Sequence, residues 1–420
     1  MTVKSVITCD LEGRIVAYNP GAEEVFGWTA DEVVGKRRVS MFSPGPIVLG
    51  HVGNWLKTAD VEGRWEGRTV FVRRDGSPFA ADVRITPTFK DGEQMGYCGV
   101  STPLPDVSPD EAYPPISLAT RLFTGLVITR APFLTATIVP VLVAAAAAWA
   151  VAAGPFPWGL FSLVMVAAMA LHVAANTFND HFDWVSGTDA DNNDYFMPFS
   201  GGSRAIELGL ISARGVLWVG LVALAAATAI GSVLVMIRGP ALVGFGLIGA
   251  LSAWFYTAPP LRLAARKGLG ELFIGLNFGP LMTAGTAFAL TGQLGWQDFA
   301  MGIPVGLLTT AIVWVNEFPD APSDERVGKH NLVVVLGRRR ARWGYVMLVA
   351  AAFASIIAAV IVGLFPMAAL LALLALPVGA YTATIVVRHY DDRTLARACA
   401  GTVALHLLAG LLLAAGLALG

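Results

Sequence analysis

The pattern Asn-x-Phe-x-Asp occurs twice, each time at the end of an apolar run. The first copy is Asn176-Thr177-Phe178-Asn179-Asp180, continuing to Asp183. The second is Asn316-Glu317-Phe318-Pro319-Asp320, continuing to Asp324. Carboxylates are costly in a bilayer, so acids at membrane depth or at its rim mark a site of function. Asn176, Asp180 and Asp183, and likewise Asn316, Asp320 and Asp324, recur at helical spacing, which places each set along one face. Neither set has the regular oxygen ligands of an EF-hand. Carboxylates and amides without thiols suit a hard cation such as Mg²⁺, which is held by one or two carboxylates plus substrate phosphates. Two such clusters beside an apolar bundle suggest a polyprenyl diphosphate, its head on metal and its tail between helices. The competing reading, solvated acids that end helices, is strongest for Asp189, Asp191 and Asp194, further into the loop.

The elements that carry these residues follow from hydropathy. The chain has 420 residues, 55% of them hydrophobic and 14% charged, with a mean hydropathy of +0.63; this is a polytopic membrane protein, not a soluble enzyme. Residues 1–117 are an ordinary polar and apolar mix, so a soluble domain precedes a membrane domain. A span needs roughly 20 apolar residues. Nine candidates meet or approach this, at about 132–153, 157–179, 215–237, 239–257, 271–291, 299–317, 343–364, 366–387 and 398–419. The connections after even-numbered spans carry the cations: Arg204 and Arg214; Arg262, Arg266 and Lys267; Arg326, Lys329, Arg338, Arg339, Arg340 and Arg342; Arg388, Arg393 and Arg397. The odd connections hold only Arg238. The positive-inside rule then puts the N-terminus and both acidic motifs at the cytoplasmic face of the cell inner membrane and the C-terminus outside. The opening Met1–Asn19 reads as strand, turn and strand rather than a secretory leader. Cys9, Cys98 and Cys399 are too scattered for a disulfide framework or a thiolate metal site. The formal net charge of −1 gives no reason to expect nucleic acid.

With the acidic motifs in place, residues 118–420 resemble the UbiA superfamily of intramembrane aromatic prenyltransferases. Its first motif, NxxxDxxD, is matched by Asn176 to Asp183 and its second, DxxxD, by Asp320 to Asp324. The flanks Ser186-Gly187-Thr188-Asp189, Pro198 to Arg204 and Gly328-Lys329-His330-Asn331-Leu332 are similar to the branch that prenylates 1,4-dihydroxy-2-naphthoate for menaquinone-type quinones. One departure is that Phe196 and Met197 precede Pro198, where many relatives carry a basic residue. The resemblance implies an all-α bundle of nine transmembrane helices. It implies Mg²⁺ held by Asn176, Asn179, Asp180, Asp183, Asn316, Asp320 and Asp324. Ionisation of the allylic diphosphate, attack by the electron-rich ring and loss of CO₂ would follow. Preplaced cations favour the developing charge, so Arg204, Lys267 and Lys329, with Asn176 and Asn316, become candidate diphosphate contacts. Tyr256 is expected beside the carbocation; its alternative is an interfacial aromatic. Other acceptors of the superfamily (4-hydroxybenzoate, chlorophyllide, glyceryl phosphate) stay open, as does a non-catalytic quinone- or lipid-binding receptor. His172 is expected to be a helix-packing polar residue, and His181 to face away from the motif.

Residues 1–102 resemble a PAS sensor domain, a small α+β fold with a five-stranded antiparallel sheet. The residues that carry this are Gly13, Asn19, Phe26, Gly27, Gly35 and the hairpin signal Asp75-Gly76. The resemblance implies a ligand sensor or a dimerisation module. A Pro-rich linker, 103–117, follows and is expected to be extended; it leads to an interfacial helix at 117–131.

Overall fold

The computed structural model describes residues 3–152, 154–188 and 200–420; Asp189, Asp191 and Asp194 lie outside the described residues. The chain divides into two units: Met1–Ile128 with Arg204–Ser212, and Thr129–Ser203 with Ala213–Gly420.

In the first unit, Asn19 organises the start of the fold. Its side chain accepts from the backbone N–H of Ala22 at 2.8 Å, capping the helix Pro20–Phe26, and from that of Val6 at 2.8 Å. Gly27, at φ 77°, ends the helix in the left-handed conformation that glycine adopts without strain. Five strands, β1 (Ser5–Asp10), β2 (Ile15–Tyr18), β3 (Trp65–Val72), β4 (Pro78–Lys90) and β5 (Glu93–Pro103), form an antiparallel sheet in the order β2-β1-β5-β4-β3. Asp75-Gly76 makes the β3–β4 turn, with Asp75 Oδ1 accepting from Ser77 N–H at 2.9 Å. Phe26, Phe42 and Phe79 fill the space under the sheet, Phe26 and Phe42 with centroids 4.3 Å apart. Two segments join this unit that the sequence assigned to the membrane domain. Helix Leu118–Ile128 packs Thr120 against Gly50, where a Cβ would lie 2.9 Å from Thr120 Oγ1. Residues 204–212 pack Leu208 and Leu210 against Gly45. By packing, the first unit thus runs on to Ile128.

In the second unit, eight helices among the described residues are long and apolar enough to cross a membrane, which makes this a multi-pass membrane protein. The span expected at 239–257 is the helix Ala241–Phe255, of 15 residues. At about 1.5 Å per residue it reaches only about 22 Å, short of a hydrocarbon core of roughly 30 Å.

Both motif-bearing helices run past their apolar stretches. Trp158–Val185 carries the first motif and Ile303–Arg326 the second. The second helix continues through Pro319 and Pro322. Pro319 cannot donate to the carbonyl of Val315, and the Cys399 thiol takes up that carbonyl at 3.9 Å. The same helix is seated by a close crossing of two small-residue pairs, Gly275 with Gly279 and Gly302 with Gly306. A Cβ on Gly279 would stand 2.5 Å from Gly302 O, and one on Gly306 2.3 Å from Gly275 O. Membrane helices associate through such close backbone approach, because lipid supplies no hydrophobic drive between them.

Candidate functional site

The phenylalanine at the centre of each motif explains the pattern. Phe178 and Phe318 are both fully buried. Phe178 stacks edge-on to Trp254 at 5.0 Å and fills the space beside Gly220. Phe318 joins the core formed with Val315, Tyr345 and Leu395. Burying these rings fixes the rotation of each helix, so the Asn and Asp positions turn to the opposite face.

That face lines a cavity of about 780 Å³ in the second unit. Asn176, Asn179 and Asp183 line it from one helix and Asn316, Asp320 and Asp324 from the other. Tyr256, at the end of Ala241–Phe255, and Lys329 also line it. Further in, the wall is apolar, with Leu171, Phe245, Phe278, Leu281 and Ile312. Asp180 stands just behind this surface, 3% exposed, its Oδ1 accepting from Arg130 and from Ser203 N–H.

Lys329 Nζ lies 3.8 Å from Asp183 Oδ2 and 3.6 Å from Asp324 Oδ1, joining the two motifs. Burial alone would pull this ammonium down, but the carboxylates of Asp183 and Asp324 hold it well above the ordinary lysine range. The loop Gly328-Lys329-His330-Asn331-Leu332 is held by a bridge between Arg266 and His330 and by Lys267 N–H donating to His330 O at 2.8 Å. Asn331 Nδ2 donates to Asp324 Oδ2 at 2.8 Å while its Oδ1 caps the next helix.

Two expected contacts are placed elsewhere. Lys267 bonds through its backbone and is exposed. Arg204 is buried at 4%, pairs with Glu207 at 2.8 Å and belongs to the first unit. Neither lines the cavity. Arg204 is thus placed on an in-sequence acid, and Lys267 sits exposed on the loop-to-loop bridge. His172 hydrogen-bonds Thr137 at 2.7 Å, as a packing polar group does, and also lines the cavity. His181 faces Ala213 O at 2.9 Å.

Three features escaped the sequence reading. Arg130, in the left-handed conformation at φ 52°, lines the cavity and pairs with Asp180. Ser200–Ser203 forms a backbone strap: Gly201 N–H donates to Asp320 Oδ2 at 3.0 Å and Ser203 N–H to Asp180 Oδ1 at 3.2 Å. Gly201 and Gly202, at φ 74° and 75°, need glycine there. Glu317 lines the cavity beside Asn316. Arg130 was hidden because nothing in the sequence joins it to residue 180. The strap works through its backbone, which leaves no side-chain signal beyond its glycines.

Among the described residues no three His, Cys, Asp or Glu side chains converge as a metal-holding group. The donor chemistry still fits a hard cation. Asp180 Oδ2 and Asn316 Oδ1 are buried with no hydrogen-bond partner. Mg²⁺ needs only one or two protein carboxylates when substrate phosphates complete its shell.

Residues 137–418 match the UbiA prenyltransferase family, and residues 3–102 match a PAS domain. Among curated proteins, the 1,4-dihydroxy-2-naphthoate octaprenyltransferase of Mycobacterium tuberculosis is 33% identical over 209 residues, covering 49% of this chain and 67% of that protein. The 2-carboxy-1,4-naphthoquinone phytyltransferase of Synechocystis sp. is 26% identical over 290 residues, covering 68% of this chain and 90% of that protein. Among solved structures, the apo structure of a UbiA homolog from Aeropyrum pernix K1 superimposes with a TM-score of 0.51 at 18% identity, covering 69% of this chain and 97% of that one. That likeness establishes the fold.

Proposed function

Since this chain belongs to the UbiA prenyltransferase family, we propose that it moves a polyprenyl group from its diphosphate to 1,4-dihydroxy-2-naphthoate, as in menaquinone biosynthesis. One observation carries the reading: two acidic motifs from separate spans meet at one end of a single, largely apolar cavity. A soluble phosphate site has no use for the apolar depth, and a lipid-binding bundle has no use for two sets of carboxylates. The similarity to the naphthoate enzymes supports the acceptor.

Asn176, Asn179, Asp180, Asp183, Asn316, Asp320 and Asp324 would hold Mg²⁺ together with the diphosphate. When bound, the metal supplies Lewis-acid neutralisation of the leaving group. Arg130 and Lys329 border the same space and are the cations we assign to the diphosphate oxygens. Tyr256 presents its ring to the cavity near the acids, where the allylic cation would form. Leu171, Phe278 and Ile312 exclude water from that cation. We place the site at the cytoplasmic face of the inner membrane, from the distribution of Lys and Arg among the connections. The PAS domain is assigned a sensory role, with dimerisation as its second use.

The test is turnover of purified protein in nanodiscs with Mg²⁺, labelled geranylgeranyl diphosphate and 1,4-dihydroxy-2-naphthoate. A prenylated, decarboxylated product is expected, with at least about 100-fold loss in Asp180→Ala and in Asp320→Ala. Turnover only with another aromatic acceptor would remove the naphthoate assignment; no turnover with any would remove prenyl transfer.

A further inference from the structure

We propose that His172 donates a hydrogen bond from Nε2 to the carboxylate of the aromatic acceptor, with Thr137 behind it as a positioning residue. This rests on the prenyl-transfer reading and names a contact within it. His172 lies on the helix Trp158–Val185, four residues before Asn176, so it shares the face of the first motif. It stands about 6 Å deeper along the helix axis than Asn176. At that level it lines the cavity and is 6% exposed. Ala168, Leu171 and Ala175 line the cavity from the same helix and are apolar. Phe278 lies in the π turn Asn277–Leu281, which contains Pro280, and meets the imidazole with centroids 4.8 Å apart. One polar point beside flat apolar surface is the outline of an aromatic acid.

The hydrogen bond between Thr137 and His172 fixes where the imidazole proton points. Thr137 is fully buried, and its hydroxyl has one partner among the described residues, His172 Nδ1 at 2.7 Å. A hydroxyl proton sealed in the bundle needs an acceptor, so Thr137 donates and Nδ1 accepts. The ring proton is then on Nε2. Nε2 has no partner among the described residues and, unlike the sealed Nδ1 of His406, is open to the cavity. An N–H left unpaired in an apolar wall is costly. The prenyl substrate cannot take this N–H, because its oxygens are all in the diphosphate and the chain beyond is hydrocarbon. The aromatic acid can. Of its oxygens the carboxylate is the better match, since a hydrogen bond to a charged acceptor is about twice as strong as one to a neutral acceptor. The ring hydroxyls must also feed electron density to the attacking carbon, and a donor aimed at their oxygens would withdraw it. The contact orients the ring, with no proton moved and no bond broken through His172.

The decisive measurement is equilibrium binding of 1,4-dihydroxy-2-naphthoate, and of 1,4-dihydroxynaphthalene, which lacks the carboxylate, to the full chain in nanodiscs, beside steady-state kinetics. Wild type should bind the naphthoate about tenfold more tightly than the diol. His172→Phe should weaken the naphthoate about tenfold and leave the diol within about twofold. His172→Gln returns an N–H at similar reach and should restore most of the preference. The KM for geranylgeranyl diphosphate and the half-saturating Mg²⁺ should not move in either variant. If His172→Phe weakens both ligands equally, or neither, the carboxylate contact is overturned; a raised Mg²⁺ requirement would overturn it in favour of a role at the metal. Thr137→Val is nearly isosteric and frees the ring, so it should lose part of the preference. Where His172→Phe does not fold, Thr137→Val decides, and an unchanged preference overturns the assignment. Wild type that binds the naphthoate with this preference but turns over no aromatic acceptor defeats the prenyl-transfer reading itself, which is a different failure.

Discussion

Arg130 and Lys329 divide the work of charge at the residue scale. Arg130 pairs with the first motif, through Asp180, whereas Lys329 lies between Asp183 and Asp324 and so ties both motifs together. Removing Arg130 should therefore weaken the prenyl diphosphate while leaving the motifs joined. Arg130→Gln is expected to raise its KM about tenfold, since a charge-assisted contact is lost, with acceptor KM unchanged. Lys329→Met removes the cation between two carboxylates and leaves Asp183 and Asp324 without it. It should lower the melting temperature of the substrate-free protein as well as activity, and added Mg²⁺ should restore part of the melting temperature. Equal loss with and without Mg²⁺ would place the role of Lys329 in substrate binding alone.

At the scale of elements, the glycine crossing governs where the second motif sits. Gly306 faces Gly275 O, and a side chain there must push two backbones apart. Gly306→Val should destabilise by about 1–3 kcal/mol, as overpacking does, and should reduce activity through displaced acids. Activity that persists despite a lowered melting temperature would show that the crossing is structural only. In the first unit, Glu32 closes a capping box on Thr29 and pairs with Arg74 at 2.9 Å. Its pKa is lowered, chiefly by the Thr29 N–H and then by the Thr29 hydroxyl and Arg74. A lowered folded pKa contributes stability above the unfolded value and loses it as pH falls through the folded one. The helix start at Ala30 should thus fray in acid below about pH 4. Glu32→Gln should remove that pH dependence, read from amide exchange at Ala30 to Val33.

At the scale of the whole molecule, the chain passes between its two units at 128/129, 203/204 and 212/213. Ser200–Ser203 bonds the carboxylates of Asp180 and Asp320, and the next nine residues, Arg204–Ser212, belong to the first unit. Gly45 is where that unit receives them, since a Cβ there would sit 2.2 Å from Leu208 O. Gly45→Val should expel the segment, making it cleavable by protease between 204 and 212, and should alter the KM for the prenyl diphosphate. If cleavage appears but kinetics stay fixed, the PAS domain does not act through this segment. Deleting residues 1–105 is the coarser test of the sensory role; activity unchanged in every redox condition would count against it.

The sequence by itself determined the membrane class, both acidic motifs, the family resemblance and the sensor fold, because each rests on local or periodic signals: hydropathy runs, helical spacing, and turn residues such as Asp75-Gly76. It also counted the fourth span at full length, since composition alone does not register that the helix there, Ala241–Phe255, has 15 residues. Tertiary structure alone decided which cations face the cavity. Arg204 and Lys329 look alike as loop residues, yet one is consumed by Glu207 and the other is drawn between Asp183 and Asp324. It likewise decided that Arg130 meets Asp180 and that a glycine strap bonds both motifs through its backbone. Such pairings depend on distances between segments far apart in the chain, and those distances are set by the packing of Phe178, Phe318 and the Gly275–Gly306 crossing.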